Sequence, residues 1–166
     1  MKYVERLLED KRFREVLEEL ERLEADRIYC RHDFTHLMDV ARIASREQLE
    51  SGGVADEEQI YLAALLHDIG RAEEYKNGIS HAIAGKKLAG EILLHIGYPG
   101  QKTEQILAVI EGHRGETPVL QEDPGTEVLV QLIQTADQKS RPCFFCRAAD
   151  TCKWSSDRKN KTGDWR

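Results

Sequence analysis

The amino-acid sequence predicts an all-α domain, and three observations support this fold class. Apolar residues recur three and four positions apart among charged residues along most of the 166-residue chain, which is the spacing of a buried helix face. No segment shows the sustained alternation of apolar and polar residues, with β-branched enrichment, that is typical of strands. Residues that favour helix ends, chiefly aspartate, serine and glycine, separate the apolar stripes.

Most of the predicted helices start at a capping residue or after turn residues, and most end at or near glycine or proline. In chain order the predictions are a helical segment within residues 1–28, Phe34–Glu50 capped by Asp33, Glu57–Ile69 capped by Asp56, His81–His95 capped by Ser80, Thr103–His113, and Thr126–Ser140. The stretch YKNGIS is predicted to be a turn. We expect residues 29–141 to form the main domain, residues 1–28 to pack on it, and residues 142–166 to form an irregular tail that contains cysteines.

Composition and charge narrow the class of protein. The chain has 24 Lys and Arg against 30 Asp and Glu, which gives a formal net charge of −6. This balance argues against a nucleic-acid partner, because such proteins usually carry a basic face. The N-terminus is too charged for a signal peptide, and no apolar run approaches the length of a membrane span. We therefore expect a cytoplasmic protein with no membrane partner, whose four cysteines are free thiols or metal ligands.

Ionisable residues interrupt the apolar stripes where the helices should be buried. His67 follows Ile60 and Ala63 at helical spacing, and Asp68 stands directly after it. The residues that project in this way from five predicted helices are His36, His67, His81, His113 and Asp137. Imidazole and carboxylate groups are ligands of zinc, manganese and iron, and helical bundles often build metal sites in their cores. The alternative is a buried hydrogen-bond network without a metal.

The two remaining histidines are expected to lie outside this set. His95 falls off the apolar face of its helix, so we expect it at the surface. His32 precedes the Asp33 cap, and we expect it to be a solvated loop residue, although it could reach the mouth of the site.

The ordered series His36, His67-Asp68 and Asp137, with HDIG at 67–70, resembles the HD-domain phosphohydrolase superfamily over roughly residues 29–141. The resemblance implies an HD-domain helical bundle in which these four residues bind one divalent metal. His81 and His113 also match the subset of the family that binds two metals, with Asp68 as the bridge. The bacterial hydrolases of dinucleoside polyphosphates look closest in layout.

The resemblance implies hydrolysis of a phosphoester or phosphoanhydride in a small phosphorylated substrate, a nucleotide in our interpretation, with iron, manganese or zinc as the one or two ions. Asp68 would be catalytic as the bridging ligand, and Arg71 could hold a phosphate. Arg114 and Lys139 are weaker candidates for that role. Two rival functions use the same ligands: a di-iron oxygenase, like the inositol oxygenases of the same fold, and a non-enzymatic sensor that only binds metal.

The cysteines form a second pattern. Cys143, Cys146 and Cys152 follow a C-x2-C-x5-C spacing, and C-x2-C is a common half of a zinc or iron–sulfur site. Cys30 lies six residues before His36 and Cys143 six after Asp137, within about 20 Å of a shared metal even if both segments are extended. We therefore predict one structural site with four thiolates, for zinc or a cluster. The alternative is a set of free thiols.

Overall fold

A computed structural model describes residues 1–53, 55–112 and 123–162, and within these ranges the chain is helical without strands, which confirms the all-α prediction. Eight α-helices occur in these ranges: α1 (Lys2–Glu9), α2 (Lys11–Leu23), α3 (Phe34–Glu50), α4 (Glu57–Leu66), α5 (Arg71–Asn77), α6 (His81–His95), α7 (Gly100–Gly112) and α8 (Pro124–Ser140). Three short 3₁₀ turns follow, at Cys143–Phe145, Ala149–Thr151 and Ser156–Arg158.

The N-terminal stripe is two helices, whereas the sequence suggested one segment. Asp10 leaves α1 in an extended conformation, and its carboxylate accepts a hydrogen bond of 3.0 Å from the Phe13 amide. It therefore caps α2 and turns the chain. The apolar spacing runs on across the break because both helices bury leucines in the same core, Leu7 from α1 and Leu17 from α2.

The chain after the HDIG sequence also differs from the prediction. Helix α4 ends at Leu66, residues 67–70 form a turn, and the first three residues of the stretch predicted as a turn are the end of α5. Helix α5 is short, and Ala72 is its one buried residue. It therefore lacks the apolar stripe by which helices are recognised in a sequence. Gly78 ends it in the left-handed conformation, at φ 68°.

Helix α4 forms the centre of the domain. Its residues from Leu62 to Leu66 are all fully buried, so the helix is apolar on every side, as expected of a helix surrounded by others. Helices α1, α3, α7 and α8 pack against it, and α2 packs against α5. The two polar residues that follow this helix, His67 and Asp68, therefore lie in the middle of the molecule. No helix in the described ranges is both long and apolar enough to cross a membrane.

Candidate metal centre

Three of the predicted ligands meet at one point. His36 lies in the first turn of α3, and His67 and Asp68 directly follow α4. One ligand atom from each residue lies within 4.8 Å of the others. The side chains of His67 and Asp68 are 0% and 2% exposed, so the group is shielded from bulk water. Burying an imidazole beside a carboxylate in this way requires either a proton or a metal ion between them.

Asp137, from the last turn of α8, stands beside this group. Its Oδ1 lies 3.4 Å from Nε2 of His36, while Asp68 Oδ2 lies 3.9 Å from the same nitrogen. The contact follows from the packing of α8 along α3. The structure thus brings the four residues of the predicted first metal site together, with His36 between the two carboxylates.

Hydrogen bonds on the outer side of each imidazole orient its inner nitrogen. His67 Nδ1 lies 2.6 Å from the Ala64 carbonyl, which can only accept, so Nδ1 carries the proton. His36 Nδ1 lies 3.3 Å from Ser140 Oγ, whose own hydrogen is donated to the Asp137 carbonyl. Both Nε2 atoms therefore face the centre. Within the described chain, Nε2 of His36 is buried without a hydrogen bond, which is what a metal ligand needs before its ion arrives.

The pKa values of the two histidines are shifted in opposite directions. Burial, together with the charge of His67, lowers the pKa of His36 to about 4, so this imidazole is neutral near pH 7. Burial also opposes a charge on His67, but the Asp68 carboxylate outweighs it and raises the pKa of His67. A divalent ion bound by His67 would compete with a proton for the same nitrogen. The affinity of the site for the ion would therefore fall as the pH is lowered. The donor set of two imidazoles and two carboxylates is compatible with a divalent metal.

Arg71, predicted to hold a phosphate, lies instead against the ligands. Its side chain is 11% exposed, and its Nε is 2.7 Å from Asp68 Oδ1. The same guanidinium lies 3.8 Å from Glu74 Oε2, and Glu74 Oε1 lies 3.1 Å from Nδ1 of His81. A chain of alternating charges thus links Asp68 to the buried His81. In this arrangement Arg71 orients the Asp68 carboxylate.

The other predicted site residues are placed as follows. His113 and Arg114 lie outside the described residues. Lys139 forms an ion pair with Glu47, so its positive charge already has a partner. His95 is at the surface as predicted, 69% exposed, with Nδ1 2.7 Å from Asp10 Oδ2.

His32 corrects the prediction of a solvated loop residue. It is 9% exposed, and its ring packs edge-on against His36 with centroids 5.7 Å apart. Its Nδ1 lies 2.6 Å from Oε1 of the buried Glu24, and its Nε2 lies 3.9 Å from Asp68 Oδ2. The reason is that the end of α2 supplies Glu24 as an internal partner, which no pattern in the sequence connects with His32. The short H-x3-H spacing of His32 and His36 was the available signal.

The Glu24 carboxylate connects His32 to other residues by hydrogen bonds. It also accepts hydrogen bonds from the His32 amide at 2.7 Å and from the Tyr75 hydroxyl at 2.6 Å. Burial alone would raise the pKa of Glu24, but the bonds from His32 and Tyr75 outweigh it and lower the pKa to about 2. Burial and the neighbouring Glu24 raise the pKa of Tyr75 to about 12, so the phenol remains a donor.

We expect Glu24→Gln to remove a pH-dependent part of the stability. A lowered carboxyl pKa stabilises the fold above its ordinary value of 4.5, and this contribution is lost as the pH falls towards 2. It corresponds to about 3 kcal/mol at neutral pH. Urea unfolding between pH 7 and pH 3 should therefore show a lower and flatter curve for Glu24→Gln. Glu21→Gln, on the exposed side of α2, is the matched control and should follow the parent. Parallel curves for Glu24→Gln and the parent would contradict the assignment.

A cleft of about 500 Å³ opens beside the centre. It lies between the chain that enters α3 and the tail that follows α8, and His36 and Ser140 line it. Four cations also line it, Arg27, Arg31, Arg141 and Lys159, against the two carboxylates of Asp33 and Asp39. The four cysteines line the same cleft. The cleft beside the buried centre therefore carries more cations than carboxylates, although the chain as a whole is acidic.

Comparisons with known proteins agree with this geometry. The family model described as the HD domain matches residues 33–150. An uncharacterised protein from Clostridium beijerinckii is 36% identical over 154 residues, which make up 93% of each chain. Ribonuclease Y from Pelobacter propionicus is 29% identical over 126 residues, which are 76% of this chain but 21% of that protein.

Among solved structures, a predicted HD superfamily hydrolase from an uncultured Thermotogales bacterium superposes with a TM-score of 0.60 and 24% identity, over 88% of this chain and 80% of that one. This likeness shows a shared fold. The family match covers more than half of the chain and contains His36, the His67-Asp68 pair and Asp137. The chain therefore belongs to the HD domain family.

Proposed function

We propose that this protein is a metal-dependent phosphohydrolase that cleaves a phosphoester or phosphoanhydride bond of a nucleotide. The observation that carries the proposal is the buried group of His36, His67 and Asp68, with Asp137 beside it, at the end of a cationic cleft. Membership of the HD domain family supports hydrolysis, and a predicted HD superfamily hydrolase shares the fold.

In this proposal His36, His67, Asp68 and Asp137 hold a divalent transition metal, iron, manganese or zinc. Such an ion lowers the pKa of a water molecule and neutralises charge on phosphoryl oxygens. The protein contributes preorganisation, because Ser140 and the Ala64 carbonyl already fix both imidazole rings. A second ion, held by His81 and His113 and bridged by Asp68, remains a prediction. It would have to share Asp68 with the guanidinium of Arg71.

His32 is the residue that we assign to proton transfer. Glu24 binds its Nδ1 and so fixes the ring, which leaves Nε2 directed towards Asp68. An imidazole oriented by a carboxylate in this way can take up a proton at Nε2 during attack by water and return it to the leaving oxygen. Tyr75 stabilises the same carboxylate, so the pair stays in place as the proton moves.

The cleft favours an anion as substrate. Arg31 and Lys159 bond to the carbonyl oxygens of Ala25 and Ala149, which carry no net charge. Their positive charges are therefore not cancelled by those partners, and they are available to phosphate groups. The ring of Tyr29 also lines the cleft and offers an aromatic surface for a base. A nucleotide combines both features.

A substrate panel tests the proposal. Purified protein loaded with manganese, iron(II) or zinc is incubated with nucleoside mono-, di- and triphosphates, dinucleoside polyphosphates, a chromogenic phosphodiester and a short RNA, and the products are separated by ion exchange. We expect hydrolysis of at least one nucleotide. His36→Ala should lower the rate at least about 100-fold through loss of the ion. His95→Ala, an exposed histidine on α6, is the matched control and should keep the parent rate.

Three results would contradict the proposal. Cleavage of RNA without hydrolysis of nucleotides would change the substrate class to nucleic acid. RNA is included in the panel because part of the chain is similar to Ribonuclease Y. Oxygen consumption with a polyol and no hydrolysis would indicate the oxygenase. Metal binding with neither reaction would indicate a sensor. The metal content of the same preparations distinguishes one core ion from two.

A further inference from the structure

The four cysteines converge on one place from two distant parts of the chain. Cys30 lies in the loop between α2 and α3, whereas Cys143, Cys146 and Cys152 lie in the tail after α8. All four are free thiols, all four are half-buried, and all four line the same cleft. They are the complete cysteine content of the chain. Chance would not place every thiol of a protein of this size at one cleft, so their convergence needs a chemical reason.

The cleft also places a positive charge beside the thiols. Arg141 lines it together with Cys30, Cys143, Cys146 and Cys152. Bound as thiolates, four cysteines in one cleft would repel one another unless positive charge stood between them. Arg141 supplies a single positive charge against four negative ones, and its guanidinium also stacks on the Trp154 ring at 4.8 Å. A metal group bound by the thiolates supplies the rest.

The spacing of the sulfur atoms distinguishes two kinds of metal group. All four cysteines lie in the described part of the chain, and no three of their sulfur atoms come within 4.8 Å of one another. A single zinc ion with bonds of 2.3 Å to tetrahedral sulfurs requires all of them at about 3.8 Å from each other. In an iron–sulfur cluster the thiolates bind different irons, so they stand farther apart. The cleft is also large enough for a cluster.

The tail has little apolar core to order it. None of the residues in its three 3₁₀ turns is buried, so the tail has almost no apolar core of its own. It is nevertheless folded back on the domain. Asn160 donates hydrogen bonds to the carbonyls of Gln138 and Arg141 at the end of α8, and Tyr29 donates one to the Thr151 carbonyl. Tyr29 and Thr151 are the chain neighbours of Cys30 and Cys152, so the loop and the tail meet beside the thiols. A bound metal group provides folding free energy in such segments.

We infer that Cys30, Cys143, Cys146 and Cys152 bind an iron–sulfur cluster that fastens the tail to the loop entering α3, next to the metal centre but independent of it. The cluster would be a structural group. It offsets part of the negative charge of the four thiolates and closes the side of the cleft formed by residues 142–152. The inference does not depend on the proposed hydrolysis, because its ligands and its test are separate from those of the histidine site.

Anaerobic purification from iron-supplied cells tests the inference. We expect a brown protein with broad visible absorption, containing two or four inorganic sulfides per chain and cluster iron in matching amount. His67→Ala should remove the core ion but keep sulfide and colour. Cys146→Ser should lose both, and residues beyond Arg141 should become sensitive to protease. Phe145→Ser, at an 85% exposed neighbour of Cys146, is the matched control and should keep the cluster.

The sulfide measurement on the parent protein is independent of whether the Cys146→Ser variant folds. Zinc bound in a colourless protein without sulfide would overturn the cluster and leave a zinc site instead. Free reaction of all four thiols with a thiol reagent in the native, anaerobic protein would overturn any metal at this position.

Discussion

Asp68→Asn is expected to abolish hydrolysis and to remove the core ion. The Asp68 carboxylate lies at the meeting point of His67 Nε2 at 3.3 Å, His36 Nε2 at 3.9 Å and Arg71 Nε at 2.7 Å. An amide cannot supply the negative charge that the ion and the guanidinium both require. We expect a loss of activity of at least about 100-fold, with metal content falling in parallel. Stability should also fall by about 3 kcal/mol, because a buried charge loses its partner.

Asp56→Asn is the matched control for this variant. Asp56 caps the other end of α4, and asparagine caps helices as well as aspartate does. Its activity and metal content should equal those of the parent. Circular dichroism of both variants should show intact helices. An Asp68→Asn protein that still binds the core ion at parental affinity would remove Asp68 from the ligand set.

Gly70→Ala should strongly destabilise the protein, for a reason that concerns packing and not backbone conformation. Gly70 adopts an ordinary φ of −78°, which any residue tolerates. A Cβ at this position, however, would collide with the His81 carbonyl, the Gly85 amide nitrogen and, at 2.9 Å, the Gly85 Cα. These are backbone atoms of α6, so no side chain can turn aside. We expect a loss of at least about 3 kcal/mol in the free energy of unfolding, measured by urea titration.

Gly90→Ala, in the middle of the same helix α6, should have the opposite sign. A Cβ at Gly90 would meet only the Leu107 side chain, at 3.8 Å, which is an ordinary contact. Alanine is the better helix former by about 0.5–1 kcal/mol, so this control should be slightly more stable than the parent. Equal effects at Gly70 and Gly90 would show that close approach of α6 is not what requires glycine in the HDIG sequence.

Local features of the fold could be read from the sequence. Helix α3 was predicted from Phe34 to Glu50 with Asp33 as its cap, and the Asp33 carboxylate does accept a hydrogen bond from the His36 amide. Helix α6 was predicted with its observed bounds, although Ser80 makes no side-chain capping bond. Caps and apolar spacing operate within a few residues of one another, which is why one chain segment is enough to recognise them.

Features that depend on distant contacts could not be read in this way. The break at Asp10 was missed because both helices pack on one core and the apolar spacing continues across it. Helix α5 was missed because a helix with a single buried residue has no apolar spacing to recognise. At the candidate site, His36, His67, Asp68 and Asp137 were selected from their position on apolar stripes. Glu24 and Ser140 were not, because each is a polar residue on a predicted helix with no unusual neighbours in sequence.

The sequence alone determined the fold class, the family resemblance and the set of side chains able to bind metal, because these depend on residue types and on spacing along single helices. Tertiary structure decided how those side chains are used. It placed Arg71 on Asp68, set His32 between Glu24 and the centre, and brought Cys30 to the cysteines of the tail. The charge of a buried group is set by the partners that packing supplies, and those partners come from helices far apart in the chain.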